Sequence, residues 1–264
     1  MAIKAVLFDL DDTLLWDERS VDEAFRVTAE WAAKRYPLDP ERLVEAVRRE
    51  ARALYESFDT FEFTRRIGIG VFEALWAHFR EGEDESFRKL ERLAPGYRTE
   101  AWKRGLQAVG VDDGELAREL GDKFAAERRA RPYVYDETFP VLQRLRGRMK
   151  LLLLTNGAPD LQKEKIAGIP ELASYFDHIV ISGEFGEGKP AASIFRHATG
   201  LLGIEPHEGV MVGDKLTTDI LGANGVGMPS VWINRRGTEP SGGIVPAFTI
   251  RRLDELFGVI DSLS

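Results

Sequence analysis

The chain has 264 residues, of which 44% are hydrophobic and 30% charged, with a formal net charge of −8 and a pI near 5.2. That is room for one large domain or two modest ones, and the acidic balance argues against a nucleic-acid partner, which calls for a basic face. With no cysteine there is no disulfide framework and no thiolate metal site.

The first stretch, Ala5-Val6-Leu7-Phe8, is a short apolar run of the kind found in strands buried on both faces. It runs into Asp9, Asp11 and Asp12, carboxylates that are costly to desolvate without a compensating cation. That charged run leaves no secretory apolar core, and no apolar stretch approaches the roughly 20 residues that span a bilayer. The expectation is a cytoplasmic protein with no membrane partner.

From residue 17 the pattern is helical. Ser20-Val21-Asp22-Glu23 reads as a capping box, and Asp39-Pro40 starts a second helix with a regular apolar stripe from Leu43 to Phe58. The segment Phe61 to Gly70 breaks the period and reads as a loop. Its Thr64, Arg65 and Arg66 make it the candidate for substrate choice. Short helices are predicted before Pro95-Gly96 and after Thr99, then a last one from Asp112 or Asp113. The run Arg128-Arg129-Ala130-Arg131 reads as solvated charge, Trp31, Trp76 and Trp102 as helix-packing core, and the four single histidines as surface or packing residues.

From Tyr133 strands and helices alternate: Leu151–Leu154, Ile179–Ile181, Val210–Val212 and Ser230–Ile233 are strands with helical patterns between them. Such alternation means right-handed βαβ units and a parallel sheet. The expectation is an α/β fold. Its doubly wound, Rossmann-like core, residues 1–16 and 133–264, is interrupted by an α-helical insertion at 17–132.

In such sheets ligands gather beyond the carboxyl ends of the strands. Those ends carry Asp9 and Asp11, then Thr155-Asn156-Gly157, then Ser182-Gly183 with Lys189 a few residues on, then Asp214 and Asp219. Carboxylate oxygens from Asp9, Asp214 and Asp219 suit Mg²⁺. Lys189, the Thr155 hydroxyl and main-chain N–H groups around Asn156 suit phosphate oxygens. A carboxylate can attack phosphorus to give an aspartyl-phosphate, and Asp11 is placed to protonate the leaving oxygen and later activate water.

Asp9-Leu10-Asp11-Asp12-Thr13-Leu14, Thr155-Asn156-Gly157, Lys189-Pro190 and Gly213-Asp214 with Asp219 resemble, in order, the four signature motifs of the haloacid dehalogenase superfamily. The helical segment falls between the first and second motifs, as in members with a C1-type cap, the phosphoserine-phosphatase-like subgroup among them. The resemblance implies Asp9 as nucleophile, Asp11 as general acid/base and Thr155 and Lys189 as phosphate anchors. Phosphate is then bound by Leu10, Thr155, Asn156 and Lys189, and Mg²⁺ by Asp9, Asp214, Asp219 and the main-chain carbonyl of Asp11. Thr13 stands where the related sugar-phosphate mutases tend to carry glycine, which favours a phosphatase. The partner implied is a small phosphate ester, with phosphoserine first, ahead of a sugar phosphate, phosphoglycolate or a nucleotide. A mutase and a receiver-type phospho-acceptor module are the other readings.

The stretch Gly183 to Pro190 nearly matches a phosphate-cradling P-loop. Pro190 supplies neither hydroxyl nor N–H there, and Glu184 and Glu187 repel phosphate.

Overall fold

A computed structural model describes residues 3–263, and these divide into two compact units. One comprises residues 3–16, Val134–Asn156 and residues 169–263; the other comprises Asp17–Tyr133 and Gly157–Gly168.

The first unit is built on a parallel six-stranded sheet: β1 (Ala5–Phe8), β2 (Lys150–Thr155), β3 (His178–Ile181), β4 (Gly209–Gly213), β5 (Ser230–Ile233) and β6 (Phe248–Ile250). Their order is β3-β2-β1-β4-β5-β6. Every residue of β1 is fully buried, so the apolar run has no solvent face, as a central parallel strand requires. Ala5, Leu7, Leu152, Leu154 and Met211 pack in one cluster with Ile194, Phe195, Ala198 and Leu202. The chain runs outward from β1 through β2 to β3, then returns to lay β4 on the other side of β1. That reversal is the switch point at which doubly wound sheets open a crevice.

The second unit is helical. It contains α1 (Asp17–Ala32), α2 (Pro40–Glu56), α3 (Phe61–Ile67), α4 (Val71–Ala74), α5 (Glu85–Ala108) and α6 (Gly114–Arg129). Asp39, Asp84 and Asp113 cap α2, α5 and α6 through their carboxylates, and Phe25, Phe72, Trp102 and Phe124 meet ring against ring in its core.

Three expectations change here. Residues 61–67 form a helix, because Phe63 and Ile67 lie one turn apart on a buried face; the helix stops at Gly68, whose φ of 82° is the left-handed cap glycine tolerates. Residues 85–108 form one helix through Pro95, whose buried residues Leu90, Ala94, Tyr97, Ala101 and Trp102 continue on both sides of it. That shared face outweighs the lost N–H. The first helix begins at Asp17, leaving Ser20 buried inside it and not at its cap.

After α7 (Thr138–Leu145) and β2, α8 (Pro159–Ala167) groups with the helical unit, where Ala158 and Leu161 join its core. This differs from the expected division, in which residues 133–264 all belong to the α/β core. The α/β unit is completed by α9 (Ser182–Phe185), α10 (Ala192–Leu202), α11 (Leu221–Gly225) and α12 (Leu256–Leu263). Among the described residues no helix is long and apolar enough to cross a membrane.

Candidate active site

Because β1 and β4 are paired neighbours, the residues that follow them emerge side by side. The Asp9 N–H donates to the Val212 carbonyl at 2.9 Å, extending the ladder one step past Phe8. The chain then turns sharply. The Leu10 carbonyl accepts from the N–H groups of Leu14 (3.0 Å) and Leu15 (2.9 Å), and Asp12 takes a left-handed φ of 58°, a conformation aspartate tolerates better than most residues. Asp12 therefore shapes the turn that carries Asp11.

Asp9, Asp214 and Asp219 each offer a carboxylate oxygen within 4.8 Å of the others. Lys189 is buried among them. Its Nζ donates to Asp9 Oδ1 at 2.6 Å, lies 2.7 Å from Asp219 Oδ1, and donates to the Leu154 carbonyl at 2.7 Å. The second oxygen of Asp9 accepts from the Thr13 hydroxyl at 3.3 Å.

Neighbouring main chain fixes the rest. Asn156 and Lys189 exchange two bonds, Asn156 Nδ2 to the Lys189 carbonyl (2.9 Å) and the Lys189 N–H to Asn156 Oδ1 (2.8 Å). The side chain of Asn156 thus orients Lys189. Thr155 ends β2 in a buried position. Asp219 Oδ2 accepts from the Lys215 N–H at 3.0 Å, and the Trp232 indole donates to the Asp214 carbonyl at 2.7 Å. A Cβ at position 213 would fall 2.3 Å from Asp219 Cγ, so glycine is required there.

Three carboxylates share one ammonium, and Asp214 and Asp219 show the shortfall. Burial, then the charges of Asp9 and Asp219, push the Asp214 carboxyl well above the usual range. Burial likewise pushes Asp219 up to about 6, against the pull of Lys189. Lys189 is held above its ordinary value: burial works against the ammonium, but Asp219 and Asp9 outweigh it. Oxygen donors with excess negative charge are what a hard divalent cation takes, so this donor set fits Mg²⁺.

The near-match to a P-loop folds otherwise, since Ser182–Phe185 is a helical turn ending at Gly186. The arginine run is also not solvated as expected. Arg128 is buried with Nη2 2.6 Å from Asp17 Oδ1, and Arg129 Nε lies 2.6 Å from Glu164 Oε1. Their partners are far away in sequence, which is why the run looked unpaired.

Trp232 and Arg235 also reach the main chain of the site, Trp232 at the Asp214 carbonyl and Arg235 at the Thr13 carbonyl (3.0 Å). They sit on and just after β5, whose carboxyl end lies outside the four that carry the sequence motifs. Applying the same rule to that strand would have found Arg235.

Residues 3–227 match the family model for haloacid dehalogenase-like hydrolases. The chain is 36% identical to a phosphoserine phosphatase of Thermus thermophilus, covering 97% of this chain and 98% of that one. It is 38% identical to the N-acylneuraminate-9-phosphatase of Mus musculus, over 68% of this chain and 73% of that one. The magnesium-bound hydrolase YfnB of Bacillus subtilis shares the fold with a TM-score of 0.66 at 21% identity, covering 99% and 100% of the two chains. The chain belongs to the haloacid dehalogenase-like hydrolases, and is an enzyme of that class.

Proposed function

We propose that this hydrolase is a Mg²⁺-dependent phosphomonoesterase that acts through an aspartyl-phosphate on Asp9, with phosphoserine as its substrate. The observation that carries the reading is the cluster of Asp9, Asp214 and Asp219 around the single Lys189 at the sheet's switch point.

In this reading an Asp9 oxygen attacks phosphorus and the P–O bond to the alcohol breaks, while Asp11 gives its proton to the departing oxygen. Asp11, now ionised, takes a proton from water, whose oxygen attacks the same phosphorus. The acyl–phosphate bond breaks, releasing inorganic phosphate and restoring Asp9. Lys189 and Thr155, with the main chain at Leu10 and Asn156, hold the phosphate oxygens. Asp9, Asp214, Asp219 and the Asp11 carbonyl would hold Mg²⁺, which when bound offsets the repulsion between carboxylate and phosphate dianion. At ~4 Å that repulsion is about 1 kcal/mol per charge pair in water and about 4 at an effective dielectric of 20.

The inserted helices, residues 17–132, serve as the C1-type cap that selects the substrate. Phosphoserine is favoured because the phosphoserine phosphatase relative matches nearly the whole chain at 36% identity, whereas a glyceraldehyde 3-phosphate phosphatase of equal span is 32% identical and the N-acylneuraminate-9-phosphatase covers about two thirds of the chain. The test is phosphate release from a panel holding phosphoserine, N-acylneuraminate 9-phosphate, phosphoglycolate and nucleoside monophosphates, with Mg²⁺ and with chelator. Phosphoserine should give the highest kcat/KM, and chelator should abolish turnover. Turnover that survives chelation would overturn the mechanism; a preferred ester other than phosphoserine would overturn the substrate.

A further inference from the structure

We propose that Arg235 is a positioning residue for Asp9, acting through the main chain of the Asp9–Thr13 turn; this rests on Asp9 being the nucleophile.

Arg235 lies two residues beyond β5. Its Nη2 donates to the Thr13 carbonyl at 3.0 Å and its Nη1 to Glu137 Oε1 at 2.6 Å. The guanidinium carbon lies 3.4 Å from the centroid of the Tyr135 ring, which stacks in turn on Trp16. Glu137 is buried and also accepts from the Leu253 N–H at 3.3 Å. The chain carrying Arg235 is itself tied down. Asn234 accepts from the Thr238 N–H (3.0 Å) and donates to its carbonyl (2.7 Å), and its own N–H donates to the Ile250 carbonyl (2.7 Å). The guanidinium is therefore fixed by two directed bonds and a ring face, which a planar five-donor group satisfies together and an ammonium does not.

What it fixes is the path to Asp9. Thr13 receives Arg235 on its carbonyl and gives its hydroxyl to Asp9 Oδ2 at 3.3 Å, while Lys189 holds Oδ1. One oxygen of the nucleophile is anchored through Lys189, and the other through a chain that ends at Arg235. The same turn is held at Leu14 by the Tyr135 N–H (3.3 Å) and the Thr138 hydroxyl (2.8 Å). Arg235 thus belongs to a brace reaching the turn from the segment that follows β5 and from the segment that precedes α7. A nucleophile displaced by about 1 Å can cost about 100-fold in rate, so a residue that never touches substrate can still govern kcat.

The two ends of the Arg235–Glu137 pair separate this role from a purely structural one. Arg235→Met removes the Thr13 contact, whereas Glu137→Gln discards the charge pairing but leaves Arg235 on Thr13. Both should lower Tm. Arg235→Met should lower kcat for phosphate-ester hydrolysis about 10- to 100-fold with KM within about threefold, and Glu137→Gln should keep kcat within about threefold. Arg235→Lys, which preserves the charge beside Glu137, should fold and show an intermediate kcat, and it carries the test if the methionine variant does not fold. Calorimetric titration of Mg²⁺ into the metal-free chain reads the same brace without turnover, with weaker binding in Arg235→Met and near wild-type binding in Glu137→Gln. Wild-type kcat in both arginine variants, or equal losses in Arg235→Met and Glu137→Gln, would overturn the assignment. A wild-type chain that releases no phosphate from any ester would instead overturn the phosphatase reading.

Discussion

Each unit of this protein buries a cluster of opposite charges, and the two clusters are balanced differently. In the helical unit Asp17 and Glu73 meet Arg128 and Lys165: Arg128 Nη2 is 2.6 Å and Lys165 Nζ 3.7 Å from Asp17 Oδ1, and Lys165 Nζ is 2.6 Å from Glu73 Oε1. Two carboxylates face two cations. In the α/β unit Asp9, Asp214 and Asp219 share Lys189. The same side-chain type responds in opposite ways. Burial works to raise the Asp17 carboxyl, but Lys165 and Arg128 outweigh it and hold the group below its usual range. Asp214 and Asp219 are pushed up. Where charges balance, a buried carboxylate is comfortable as an anion and the cluster fastens helices together. Where they do not, the fold maintains a negative excess that a bound cation would relieve.

Breaking the unbalanced cluster should cause the largest change. Asp9→Asn should reduce phosphate release by on the order of 10⁴-fold or more, since in the proposed mechanism it removes the nucleophile; steady-state kinetics with a contamination control checks this. Asp11→Asn should cost about 10²- to 10⁴-fold, the range of general acid–base catalysis, with the fold intact by circular dichroism.

Stability then sharpens the contrast through its sign. Asp17→Asn leaves buried Arg128 short of its partner and should lower stability by up to about 3–5 kcal/mol. Asp214→Asn should raise the Tm of the metal-free protein, because it relieves repulsion instead of breaking a pair. Chemical and thermal unfolding of both variants in chelator would show it. The smallest effect is a pH dependence. Asp17 has a folded pKa below its unfolded value, so its contribution is complete above the unfolded pKa and is lost as pH falls through the folded one. The acid limb below about pH 4 should therefore be shallower in Asp17→Asn than in wild type.

The sheet and the four strand-end motifs were legible because each depends on residues adjacent in sequence. A buried strand shows as an apolar run, and the groups it delivers lie in the segment that leaves its carboxyl end: Asp9 and Asp214 come directly after β1 and β4, while Lys189 and Asp219 come a little further along the connections after β3 and β4. Long-range partners left no such trace. Arg128 finds Asp17 across 111 positions, and Arg235 finds Thr13 across 222. The second of these contacts a carbonyl, which every residue has, so nothing at Thr13 marks it as an acceptor. The continuous helix at 85–108 was hidden by Pro95, whose local cost is offset only by a packed face that the folded unit supplies. Phe61–Ile67 was hidden by the two glycines after it and by exposed Arg65 and Arg66, although Phe63 and Ile67 already had helical spacing.

The central claim is that charge imbalance in the α/β unit marks a cation site, and Mg²⁺ titration calorimetry on the metal-free chain tests it most directly. The wild-type chain should bind one Mg²⁺; Asp214→Asn and Asp219→Asn should bind it at least about tenfold more weakly, and Asp17→Asn as tightly as wild type. Undiminished binding in Asp214→Asn and Asp219→Asn, or no binding in the wild type, would contradict it.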